Sequence, residues 1–360
     1  MALHDYDALL VLSFGGPEGV DEVIPFLENV TRGRGIPKDR LKEVGEHYFH
    51  FDGVSPINGQ NRTIIANIEA ELERRGIDLP VYFGNRNWHP LGEEAAAEIS
   101  AAGHKRVLVF ATSAWGGYSA CRQYDEDILR LREFTPDVEY TKLWQFYGHP
   151  TFVELMAEAT RAALGACDPA TTKVLFSAHS VPLAADQSSG GPQDANLYSR
   201  QVAEAARLVA EAAGVDNYEV VWQSRSGNPA TPWLEPDVVD RSLELGKDDG
   251  VTHIICVPIG FITDHMEVVW DLDTELKEAL EEASMTLHRV PTVGLDPRFA
   301  AMVVDIAENV TQGASPATLS EVTVQGCTVG GAPCSPDCCM MQRPGKPAPS
   351  HPQSNVEHSA

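Results

Sequence analysis

Positive charge is scarce in this chain. Lys and Arg number 27 against 52 Asp and Glu, a formal net charge of −25. That shortage argues against a nucleic-acid partner, because phosphate backbones are held by clustered Lys and Arg. It argues equally against electrostatic docking on an anionic membrane. Long apolar runs are missing too. None approaches the roughly 20 residues of a membrane span, so no membrane insertion is expected. The first residues, Met1-Ala-Leu-His-Asp5-Tyr-Asp7, carry acids where a secretory signal carries bases, which predicts a cytoplasmic protein. Cysteines number 7, an odd count that in a reducing compartment argues against a disulfide framework. The pair Gly15-Gly16 lacks the remainder of a G-x-G-x-x-G pattern and its downstream acid, so NAD is discounted.

What is present is a globular composition. The 360 residues are 43% hydrophobic and 22% charged, enough to bury a core in about two domains. Short apolar runs recur at Ala8–Phe14, Val81–Phe83, Val107–Ala111, Val174–Phe176, Val220–Trp222 and Ile254–Ile259. Continuous rather than alternating apolarity fits strands buried on both faces. Helical patterns such as Gln60–Arg75 and Leu197–Ala213 lie between them. The alternation predicts α/β architecture with parallel sheets. A weak duplication is also visible. Leu9 to Pro17 parallels Val174 to Pro182, and Val107 to Ser113 parallels Ile254 to Gly260. The expectation is two similar doubly wound domains, 1–148 and 149–312, joined near His149. A cysteine-rich segment, 313–341, and a disordered Pro/Ser-rich tail, 342–360, follow. Ligands of open parallel sheets bind beyond the carboxyl ends of strands, so the site should lie in the cleft between the halves.

Two segments carry the chemistry. Phe176-Ser-Ala-His179-Ser-Val-Pro182 puts a histidine just past a strand. Such a residue can bind metal or take a proton, or simply be bonded to backbone. Gly260-Phe-Ile-Thr-Asp264-His-Met-Glu267 continues to Asp271 and Glu275. Three carboxylates at four-residue spacing share a helix face and repel one another. A bound cation would offset that repulsion. The plainer alternative makes Asp264 the N-cap, Glu267 the N3 residue of a capping box, and the other two a solvated face. Ser55 and Tyr124 each open a helix and could turn a hydroxyl into the cleft, or be a cap and a core-edge aromatic. Cys327-x6-Cys334-x3-Cys338-Cys339 is not a common zinc-ribbon spacing, and four thiolates suit a [2Fe–2S] cluster as well as zinc.

With these residues in hand, the chain resembles the ferrochelatases, specifically coproporphyrin ferrochelatases of actinobacterial type. The resemblance covers roughly residues 5–340. Ser177 to Pro182 and Gly260 to Glu267 carry most of it, with Leu12 to Pro17, Gly53 to Pro56 and Gln123-Tyr124 in support. It implies a chelatase-like fold with parallel four-stranded sheets. It implies insertion of Fe²⁺, a substrate, into coproporphyrin III with release of two protons. It makes His179 the metal-binding, proton-accepting base and Glu267 its partner from the opposite side of the cleft. Asp271 and Glu275 become an outer acidic row, and Ser55, Tyr124, Phe14, Arg32 and Arg34 become porphyrin contacts. It implies a [2Fe–2S] cluster on Cys167, Cys327, Cys334 and Cys339, with Cys338 as alternative to Cys339. Phe14 replaces a tyrosine that ligates product iron in some relatives, and His47 replaces an arginine. The alternatives are a protoporphyrin IX ferrochelatase, a cobalt or nickel chelatase, and a haem or iron carrier. The expected protein is a monomer that meets a downstream coproheme decarboxylase only transiently.

Overall fold

The computed structural model describes residues 3–33, 35–165, 167–191, 194–226, 230–322 and 338–340. The first half contains β1 (Ala8–Ser13), α1 (Val20–Val30), α2 (Lys38–Phe49), α3 (Ile57–Arg75), β2 (Val81–Asn85), α4 (Gly92–Ala101), β3 (Arg106–Ala111), α5 (Gln123–Phe134) and β4 (Glu139–Lys142). The second contains α6 (Pro150–Leu164), β5 (Thr172–His179), α7 (Leu183–Gln187), α8 (Leu197–Ala213), β6 (Tyr218–Gln223), α9 (Val238–Asp249), β7 (His253–Val257), α10 (Met266–Val268), α11 (Lys277–Glu282), β8 (Thr286–Arg289) and α12 (Pro297–Gln312). Between α10 and α11 the helix is π-helical, Val269–Leu276.

Two parallel four-stranded sheets result, in the orders β2-β1-β3-β4 and β6-β5-β7-β8. The orders are identical strand for strand, so the duplication read from the sequence is a duplication of topology. The strands alternate sides as their pleat requires. From β1, Leu9 and Val11 enter a central core, while Leu10 and Leu12 face α4 and α5. From β5, Val174 and Phe176 enter the same central core, while Leu175 faces the side of α9 and α11. Residues of α3, α6, α8 and α12 fill the space between the sheets, with Ile64, Met156, Val209 and Phe299 fully buried. The halves are therefore not independent: α12 packs on both α3 and α6. Arg75 of α3 fastens the contact through Asp305 at 2.7 Å and Glu308 at 2.8 Å.

Local signals fix the helix ends. Asp237 and Asp296 cap α9 and α12 through their carboxylates, and Pro297 supplies the preset φ of a first helical residue. Among the described residues no helix is long and apolar enough to cross a membrane.

Candidate active site

His179 is the last residue of β5, so its ring emerges at the carboxyl end of the sheet. The backbone beneath it is closely held. The hydroxyl of Tyr198 donates to the His179 carbonyl at 2.8 Å, and the Ser180 N–H donates to the Gln223 carbonyl at 2.8 Å. A Cβ on Gly260 would come within 2.7 Å of the Ala178 Cα, so only glycine lets β7 end this close to β5. Trp115, from the first half, donates its indole N–H to the Gly260 carbonyl at 2.9 Å. The ring orientation follows. Nδ1 lies 2.5 Å from the Ser180 carbonyl, which can only accept, so Nδ1 carries a proton. Nε2 is left for chemistry, 3.2 Å from Glu267 Oε2.

This contact corrects one expectation. Glu267 and His179 are not opposing walls of a cleft, since no macrocycle fits between groups 3.2 Å apart. Both belong to the second half and work as one unit. The capping expectation also changes. His265, not Asp264, is the residue before the helix, and it makes no side-chain cap. The Asp264 carboxylate is committed to Arg289, and its backbone N–H donates to Gln60 of α3 at 2.8 Å. That pairing ties the loop before Glu267 to both halves.

The acidic row runs outward along the π-helical stretch, a rare geometry often found at functional sites. Asp271 accepts hydrogen bonds from Ser224, and from Gln223 at 3.5 Å. Glu275 accepts from the indole of Trp270 at 2.9 Å. Trp270 stacks on His47 of α2, with ring centroids 3.9 Å apart and planes 6° apart. Gln223, Ser224, Arg225, Asp237, Asp271 and Glu275 line an open depression of about 170 Å³.

Electrostatics separate the three nearest groups. Burial works against a charged His179, but the hydrogen bond and charge of Glu267 win and raise its pKa above 6.5. Burial alone would raise Glu267. The hydrogen bond and charge of His179, with His265 and His47 beyond, instead hold it at about 2. Asp271 feels the charge of His179 only as the smallest influence on it. Burial first, then the charges of Glu267 and Glu275, push it up to about 7 against the pull of Ser224. One imidazolium–carboxylate pair thus adjoins a carboxyl that titrates near neutrality.

The other expected residues are placed as follows. Ser55 is buried, packed where a side chain at Gly16 would otherwise be. Tyr124 is buried too, its hydroxyl 3.2 Å from Thr112 Oγ1 and its ring under the Arg86 guanidinium. Phe14 is exposed just past β1, and Arg32 is exposed just past α1. Arg34 lies outside the described residues, as do Cys327 and Cys334. Cys338 and Cys339 are buried together with Cys121 and Leu197. Cys167 is elsewhere, hydrogen-bonded to Ala163 beside the amino end of β5. Cys339 bonds Gly190, past the carboxyl end of that strand. Seven strand steps, about 23 Å, lie between those two ends. Thiolates from both ends cannot meet at one cluster, and the cysteine buried beside Cys338 and Cys339 is Cys121, not Cys167. Sequence reasoning missed this because Cys121 opens no metal spacing of its own. It also missed Ser224, Gln223, His265 and the His47–Trp270 stack, none of which carries a motif.

Comparison with known proteins decides the family. The ferrochelatase family model matches residues 6–311. The chain belongs to the ferrochelatase family. A protein of Corynebacterium glutamicum (strain R) called coproporphyrin III ferrochelatase is 54% identical over 341 residues, covering 93% of this chain and 92% of that protein. Proteins of the same name from Nocardia farcinica and Mycobacteroides abscessus are each 53% identical, covering 94% of this chain and 97% and 99% of theirs. Among solved structures, SirB from Bacillus subtilis with Fe³⁺ aligns with a TM-score of 0.52 at 15% identity, over 88% of this chain and all of that one. That likeness concerns the fold. In this ferrochelatase the histidine–carboxylate pair and its acidic row sit at the strand ends where that fold places ligands.

Proposed function

We propose that this ferrochelatase inserts Fe²⁺ into coproporphyrin III, releasing two protons, and that His179 and Glu267 act on one face of the macrocycle. The contact between His179 Nε2 and Glu267 Oε2, next to an acidic row, carries the reading. A pyrrole N–H is a weak acid lying in the ring plane. The ring must be bent before a base reaches the proton or a metal enters, and binding energy from the ring periphery can supply that distortion. The fixed Nδ1–H leaves Nε2 as the group that takes the two pyrrole protons in turn, passing the first outward before it accepts the second. A carboxylate and an imidazole are suitable transient ligands for Fe²⁺. An arriving dication disfavours imidazolium, so it frees Nε2 as it approaches. Asp271, titrating near neutrality, would pass protons outward, and Glu275 would hold a hydrated cation at the mouth.

The choice of coproporphyrin III is supported by the names of the relatives quoted above. The test supplies coproporphyrin III, protoporphyrin IX and sirohydrochlorin with Fe²⁺ or Co²⁺ under anaerobic conditions and follows the absorption shift. The fastest shift is expected with coproporphyrin III and Fe²⁺. No shift with either porphyrin and iron would overturn the reading.

The cysteines beside the cleft fit a [2Fe–2S] cluster. Cys121, Cys338 and Cys339 are buried in one pocket, with Cys338 Sγ 3.7 Å from Cys339 Sγ. The Gly190 N–H donates to Cys339 Sγ at 3.2 Å, a contact that favours thiolate. Cys121 and Cys339, or Cys338 in place of Cys339, would hold the cluster together with Cys327 and Cys334. A bound cluster supplies one-electron redox chemistry, but the expected role here is to fasten the C-terminal segment to the loop before α5. Anaerobically purified protein should show the cluster's visible absorption, lost in Cys121→Ser and kept in Cys167→Ser. The opposite pattern would restore Cys167.

A further inference from the structure

The residue left over by that assignment has companions of its own. Cys167 lies three residues beyond α6, at the end of the second sheet remote from His179. His253 opens β7 and His288 lies in β8. The two strands pair with His253 opposite Thr286 and Ile255 opposite His288, so both imidazoles are on one face of the sheet. It is the face that carries Ile255 into the central core, where Cys167 also packs. One ligand atom from each of Cys167, His253 and His288 lies within 4.8 Å of the others. His253 Nδ1 is 3.1 Å from His288 Nε2.

Those distances resemble a coordination sphere before it closes. A tetrahedral ion with metal–nitrogen bonds of about 2.05 Å holds two such nitrogens about 3.4 Å apart, and a thiolate sulfur at about 2.3 Å lies about 3.6 Å from each. The imidazole nitrogens are within about 0.3 Å of that spacing, and the hydrogen bond they share would yield its proton to the cation, the ring changing tautomer. The sulfur must approach by about 1.2 Å at most, against a weak S–H contact to the Ala163 carbonyl at 3.4 Å and a side-chain hydrogen bond with Thr172. Burial, and then the neighbouring His253, keep His288 below its usual pKa, toward the neutral form that ligates metal. Burial raises the Cys167 thiol, so a cation has to displace its proton. None of the three is fully enclosed, which leaves an entry path.

We propose that Cys167, His253 and His288 bind a zinc-type divalent cation through one thiolate and two imidazoles, at a site separate from the iron-handling cleft. A nitrogen–sulfur set selects borderline ions of the zinc class over hard oxygen-seeking ones. The cleft, rich in carboxylates, has the opposite preference, so the two sites would not compete for one metal. Three protein ligands leave a fourth position for water. The bound ion would pin the connection between α6 and β5 to the edge pair β7–β8.

The test uses the full chain, stripped with chelator, loaded with Zn²⁺, desalted and counted by plasma emission. The cleft and the other cysteines also take zinc, so the reading is a difference. Wild type should carry one equivalent more than each of Cys167→Ser, His253→Gln and His288→Gln. Affinity at that site should fall by more than the roughly 10–100-fold typical of losing an outer-shell partner. Unchanged iron-insertion rates in the three variants would certify their folding. Should one variant fail to fold, the other two still decide the question. Equal zinc in wild type and the variants overturns the proposal, and so does a loss confined to Cys167→Ser.

Discussion

Replacing Asp271 by asparagine should make the protein more stable and the enzyme slower. Asp271 is half-buried beside Glu267 and Glu275, and the charge of His179 offsets their repulsion least of all the influences on it. Its pKa is pushed from 3.8 up to about 7. A carboxyl with a raised folded-state pKa destabilises the folded form wherever the unfolded form is ionised. That penalty is absent below pH 3.8, grows up to about pH 7 and is constant above. The shift of about three pKa steps caps it at about 4 kcal/mol. Solvent in the open cleft screens much of this, so a gain of about 1–2 kcal/mol at pH 8 is the expected size. Asparagine keeps an oxygen for the Ser224 hydroxyl, so that hydrogen bond survives. For a chain of this size the gain corresponds to roughly 1–3 °C in Tm. The assay is thermal unfolding of wild type and Asp271→Asn at pH 4, 6 and 8, with turnover measured in parallel. The difference in Tm should be near zero at pH 4 and greatest at pH 8, and turnover should fall by roughly 10-fold or more. A difference independent of pH, or a loss of stability at pH 8, would refute the electrostatic account of the site.

Glu267→Gln removes the group that holds His179 charged, so the burial contribution takes over and the pKa of His179 should drop below 6.5, read by NMR titration of the ring. Turnover should fall by roughly 100-fold or more, and a variant at full rate would remove Glu267 from the mechanism. The same pair gives a stability window. Glu267 stabilises above pH 4.5 and loses its contribution as pH falls toward 2, whereas His179 stabilises below pH 6.5 and loses its contribution as pH rises through its raised pKa. The Glu267→Gln variant should therefore lose most stability between those limits, measured by denaturant melts at pH 3, 5.5 and 9. Gly53→Ala tests the turn that presents Ser55. Gly53 has φ +71°, and a Cβ there would lie 2.5 Å from the backbone of Val20, which cannot give way. A loss of about 2–4 kcal/mol is expected in urea unfolding.

The central strands were legible because both faces are buried. Val107–Ala111 became Arg106–Ala111, and the helix Leu197–Ala213 was read to the residue. The edge strands β4, Glu139–Lys142, and β8, Thr286–Arg289, escaped notice because an edge strand needs no continuous apolar run. His179, Glu267, Asp271 and Glu275 were visible as a pattern, but their spatial relation was not. Spacing could not show that Asp264 is taken by Arg289, nor that the helix is π-wound through the acidic row. The cysteines show the same limit. Cys121 and Cys339 are 218 positions apart and share a pocket, while Cys167 meets two histidines on other strands.

Met266 precedes Glu267 by one residue, and its side chain is buried among Val23, Phe26, Leu41 and Tyr48 of the opposite half. The His47–Trp270 stack grips the same helix from the same side one turn later. The first half therefore grips the helix that carries Glu267. Any displacement of the first half against the second would shift Glu267 relative to His179. A change in the packing of α1 or α2 would therefore be felt at the contact between Glu267 and His179.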